Sequence, residues 1–255
     1  GKRSGRHFVF GVKYCGGGAM AKEAKKSSET PDIVRQGVLL YKQKKYADSL
    51  AFFLALPQDT GIDGIELAYY IGLCYAKLER YDDALLYLEQ VVTSGTELER
   101  VLQCRFLLAV IYALSGRRRL AEFELNKLLE TGYRNASVYA AIAFIAWEQN
   151  DVKKCLEYYE KSLEIDPENL TSLNGMGYVL ACENTDLTRA LSYCKKAVDS
   201  EPKSAACLDS LGWVYFKLGL MEKASKYLTE AQKLDGSNAV IKEHVAQLEA
   251  FKDDR

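Results

Sequence analysis

The chain has 255 residues, 48% of them hydrophobic and 27% charged, enough for the large core of an ordinary soluble protein. Lys and Arg number 34 against 35 Asp and Glu, so the basic excess that nucleic-acid binding needs is missing. Seven cysteines without a CxxC pair, and two histidines at opposite ends, leave little from which to build a zinc or Cys–His site, so no metal, cofactor or catalytic residue is expected.

Residues 1–30 form a basic, polar segment that is expected to be disordered or non-native. Residues 1–19 stand out of register with everything after them, whereas Met20 opens a credible protein, MAKEAKKSSETPD. Gly16-Gly17-Gly18 is what a purine-rich ribosome-binding site would encode, so 1–19 are expected to lie upstream of the natural start. The apolar stretch Phe8 to Val12 is shorter than a signal-peptide core, and no run approaches the roughly 20 apolar residues that span a bilayer. Most cysteines fall on apolar helix faces, which suggests a reducing compartment. The expected location is therefore cytoplasmic, with a periplasmic or lipid-anchored form through Cys15 as the alternative.

Thr30-Pro31-Asp32 reads as a helix start, with Thr30 at the N-cap and proline in the first turn. From there the chain repeats itself. Small residues stand at Gly37, Gly72, Ala109, Ala143, Gly177 and Gly212. A second series follows each by 12 or 13 positions: Ser49, Ala84, Ala121, Cys155, Ala190 and Ala224. Successive members are 34 to 37 residues apart, and turn residues separate the two series, as at Lys44-Lys45 and Leu218-Gly219. Small residues are required where two helices cross closely. Glycine in a helix interior costs about 1 kcal/mol, so its use at 37, 72, 177 and 212 implies that even a methyl is unwelcome there. Pro167 and Pro202 halt the second helix of their repeats, and Pro57 cuts that of repeat one early. Asn238 to Phe251 adds an amphipathic helix whose charges face outward, as a solvating cap.

EYYEKSLEIDPEN (157–169) and LDSLGWVYFKLG (208–219) resemble tetratricopeptide repeats, with 173–219 closest to bacterial members. The resemblance implies an all-α, right-handed superhelical solenoid of about six helix-turn-helix repeats, at 31–61, 65–97, 102–134, 136–169, 170–203 and 205–237, with a capping helix at 238–251. It also implies a concave groove lined by positions 5, 9 and 12 of each first helix. Those positions hold Val34, Val38 and Tyr41; Tyr69 and Leu73; Phe106 and Val110; Phe144 and Trp147; Asn174 and Tyr178; and Asp209, Trp213 and Phe216. The set is too apolar for a solvated face, unless its members simply pack between neighbouring helices. The family's carboxylate clamp needs Lys and Asn where Val34 and Val38 stand, which rejects that type of receptor.

The expected function is a non-catalytic scaffold whose groove takes an apolar or amphipathic segment of a protein or peptide partner. The alternative is a homo-oligomer whose groove is filled by another copy or by its own N-terminal segment. Asp209-Ser210 has no visible partnering base and reads as capping or groove polarity, and Arg117-Arg118-Arg119 reads as a solvated turn.

Overall fold

The computed structural model describes residues 32–57 and 61–253. The expectations for residues 1–30, including Cys15 and the Thr30 cap, lie outside the described residues. The described residues form thirteen helices and no strand. They fall into an N-terminal unit ending at Tyr133 and a C-terminal unit beginning at Arg134.

The N-terminal unit holds three helix pairs. They are α1 (Asp32–Lys42) with α2 (Tyr46–Leu54), α3 (Gly64–Lys77) with α4 (Tyr81–Ser94), and α5 (Leu98–Leu114) with α6 (Arg118–Glu130). Each first helix, the A helix, ends on a residue of positive φ: Lys44, Glu79 and Gly116. That left-handed residue lets the following N–H groups turn back to the last carbonyls, as in Lys45 N–H to Leu40 O at 3.0 Å and Arg80 N–H to Tyr75 O at 3.0 Å. The chain reverses within three or four residues, and the second helix, B, lies along A.

The crossings are as close as the small residues imply. A Cβ on Gly72 would lie 2.9 Å from Leu88 Cδ2, and one on Gly37 would lie 2.5 Å from the Phe53 ring. Ser49, the small residue of α2, spans the first crossing by donating to Gly37 O at 2.8 Å. Gly72→Leu and Ala121→Phe are each expected to lower stability by about 1–3 kcal/mol through overpacking. Unchanged denaturant midpoints for both variants would show the repeat register to be wrong.

The C-terminal unit repeats the plan with α7 (Ala136–Glu148) and α8 (Val152–Ile165), α9 (Leu170–Cys182) and α10 (Leu187–Ser200), and α11 (Ala205–Lys217) and α12 (Met221–Leu234). Side-chain caps start each A helix: Asn135, Asn169 and Ser204 accept from the N–H groups of Val138, Ser172 and Cys207. Serines also join one repeat to the next. Ser172 Oγ donates to Ser162 Oγ at 2.6 Å, and Ser162 donates to Ala136 O at 2.7 Å. Repeat five turns between its two helices through Asn184 and Asp186, both of positive φ.

Burial divides the two layers. In α9, Thr171 to Ala181 are all buried, whereas in α10 only Ala190, Cys194 and Ala197 are. An A helix is covered by its own B helix and by neighbouring pairs; a B helix buries one stripe and keeps the other face in water. The last helix, α13 (Ala239–Asp253), buries Val240, Ile241, His244 and Leu248 and turns Lys242, Glu243, Gln247 and Glu249 outward. Ile241 joins Leu208 of α11 and Ala231 of α12 in a small apolar cluster.

Candidate functional site

Successive helical residues advance about 100°, so positions 5, 9 and 12 of each A helix share a face distinct from the A–B contact. In the N-terminal unit this face holds Val34, Val38, Tyr41, Tyr69, Leu73, Phe106 and Val110, all buried. Tyr69 donates to Gln103 Oε1 at 2.6 Å, which ties α3 to α5. The Arg100 guanidinium lies 5.0 Å from the Tyr69 ring centre and pairs with Glu66 at 3.2 Å and Glu97 at 3.0 Å. Burial pushes the Tyr41 phenol well above its ordinary range.

In the C-terminal unit the same face is an aromatic row. Trp147 meets Tyr178 edge-on, with ring centres 6.0 Å apart. Trp213 stacks on His244 of α13 at 4.0 Å and on Phe216 at 5.1 Å, and Phe216 meets Phe251 at 6.0 Å. Tyr178 also reaches His244, at 5.9 Å. Beneath the rings lies a polar contact: Asp209 Oδ2 is 2.7 Å from His244 Nδ1, with Asp209 fully buried and His244 4% exposed. Asn174 is fully buried, and neither of its amide atoms has a hydrogen-bond partner among the described residues. Burial is also the chief cause that raises the Tyr178 phenol, followed by its neighbour Cys182.

Phe144, Trp147, Asn174, Tyr178, Asp209 and Trp213 are buried like their counterparts in the N-terminal unit, and Phe216 alone of the fourteen is half-buried. Trp147 reaches Tyr178 of the next A helix, and Trp213 reaches His244 of α13. Of the two readings of Asp209, capping is excluded, because it stands mid-helix in α11, on the same face as Trp213, where its carboxylate meets His244. A signal for that pairing was present, because Asn174, Asp209 and His244 are spaced by one repeat of 35 residues. The neighbouring Ser210 Oγ has no hydrogen-bond partner among the described residues.

Elsewhere the chemistry is sparse. Arg117, Arg118 and Arg119 lie exposed at the turn into α6. No group of three or more His, Cys, Asp or Glu among the described residues is arranged to hold a metal ion. No described helix is long and apolar enough to cross a membrane.

Models of the tetratricopeptide repeat match residues 66–94, 136–169 and 205–238. A comparison with curated proteins found no relative. Among solved structures, the chain resembles one from the APC/C hetero-tetramer Cut9-Hcn1, with a TM-score of 0.70 and 11% identity. The match covers 84% of this chain and 42% of that one, so this chain spans under half its length. It also resembles a tetratricopeptide repeat protein from Parabacteroides merdae, with a TM-score of 0.64, 14% identity, and coverage of 90% of this chain and 89% of that one.

Proposed function

We propose that this chain, which belongs to the tetratricopeptide repeat proteins, is a non-catalytic cytoplasmic scaffold that holds an apolar or amphipathic segment of a partner protein against its A-helix face. The observation that carries the reading is the aromatic row of the C-terminal unit. Its inner rings are packed, and it ends in Phe216 and Phe251, both half-buried, with the Lys217 ammonium 4.7 Å over the Trp213 ring. Rigid aromatic side chains with a wet edge are what binding hot spots use, because they offer apolar area with few rotamers to freeze. The remaining face residues pack behind that edge.

Phe216→Asp is expected to weaken capture of the partner about tenfold or more, while circular dichroism stays unchanged because the side chain is already partly in water. Equal capture by the wild-type chain and the variant would count against the face.

Self-assembly is the second reading, and one observation favours it. Leu86 of α4 and Phe123 of α6 stand at the same position of their repeats and are 63% and 52% exposed. Light scattering across a concentration series distinguishes the two readings: a mass that stays at one chain leaves the scaffold, and a rising mass supports assembly.

A further inference from the structure

The outer face of the N-terminal unit departs from that of the other repeats. Each B helix keeps one stripe in water, and the position two after its small residue lies on that stripe. The position holds Ala51, Glu157, Ser192 and Lys226 in four repeats, but Leu86 in α4 and Phe123 in α6, which are 63% and 52% exposed. One turn before each stands a charge, and the two charges are opposite. Asp82 precedes Leu86 by four residues and Arg119 precedes Phe123 by four, so each shares its neighbour's stripe. Both are exposed, and no ion pair among the described residues engages either. The two stripes also lie side by side. The chain reverses at Gly95–Glu97 and again at Ser115–Arg117, and α5 packs on both α4 and α6. The two B helices therefore run in the same direction, with Leu86 level with Phe123 and Asp82 level with Arg119.

We infer that a second copy of this chain docks on this face, about a two-fold axis that runs along α4 and α6. That axis lays α4 of each copy on α6 of the other, in the same direction. Leu86 then meets Phe123 of the partner subunit and Asp82 meets Arg119 of the partner subunit, and each contact occurs twice. The other two-fold in the plane of the face runs across the helices. It would set Asp82 on Gln90 and Arg119 on Lys127, a pair of like charges. Charge complementarity selects the first axis, and the assembly closes at two copies because each copy has one such face. This inference rests on the self-assembly reading and adds its partner and geometry. The A-helix face takes no part in it, so capture through Phe216 is left free.

Light scattering on the full chain over a concentration series tests it. The mass of the wild-type chain is expected to rise and to level off at two chains. Asp82→Arg and Arg119→Asp are each expected to weaken association about tenfold, because each sets like charges together at both contacts. Mixed in equal amounts, the two variants are expected to associate about as tightly as wild type, since the axis brings each reversed charge onto an opposite one. Both positions are exposed, so circular dichroism is expected to stay unchanged. Should either variant fail to fold, Leu86→Asp decides: it is expected to weaken association about tenfold or more, and unchanged association would overturn the docking mode. Association that ignores both charge reversals, or that does not recover in the mixture, would overturn the docking mode and leave self-assembly through another surface. A mass that rises past two chains would do the same. A wild-type mass that stays at one chain would overturn the self-assembly reading and this inference with it.

Discussion

Gly212→Leu is expected to be among the most damaging single changes in the chain, costing about 3 kcal/mol and melting the last repeat first. A Cβ at 212 would lie 2.8 Å from Leu228 Cγ and 3.0 Å from the Leu228 backbone nitrogen. The side chain of Leu228 can turn aside, but the backbone of α12 cannot without lifting the helix off α11. At Gly72 the nearest atoms are side-chain atoms of Leu88 and Tyr87, so Gly72→Leu is expected to cost less than Gly212→Leu. Urea or guanidinium midpoints of the two variants check both the size and the order. Equal, near-wild-type midpoints would mean that α11 and α12 are not in contact through Gly212.

Trp147→Ala is expected to cost about 3–5 kcal/mol of stability, the scale for deleting a large buried aromatic side chain. Trp147 is 3% exposed and lies edge-on to Tyr178 of the next A helix, so its removal leaves a cavity between α7 and α9. Thermal unfolding followed by circular dichroism reads the loss. A loss under about 1 kcal/mol with full helix content would place the indole at an open surface, where its value would lie in binding instead.

Gly37, Gly72, Gly177 and Gly212 were legible in the sequence for a steric reason that acts between two adjacent helices. Where A and B cross, the space for a Cβ is already taken by Phe53, Leu88, Cys194 or Leu228. A local exclusion repeated every 34 to 37 residues fixes both the period and the register. The capped starts at Asn135, Asn169 and Ser204 are local in the same sense.

The depth of the A-helix face was not legible, because a helical wheel states which residues share a face and not how far away the next helix lies. Val34, Tyr69 and Trp147 are as apolar as a wet groove or a dry contact would require, and only the packed helices decide between them. The Asp209–His244 contact is an intermediate case. The residue types and the 35-residue spacing were on view, but the pairing follows only once α13 is placed in register as a further A helix.

The most direct test of the scaffold reading is site-specific photo-crosslinking in the natural host. A benzophenone amino acid would replace Phe216, at the half-buried edge of the aromatic row, and in a second strain Lys226, exposed on the outer side of α12. A discrete crosslinked adduct to another protein is expected from position 216 and none from position 226. Crosslinking from 226 with none from 216 would place the partner on the B helices and contradict the A-helix face as the binding surface.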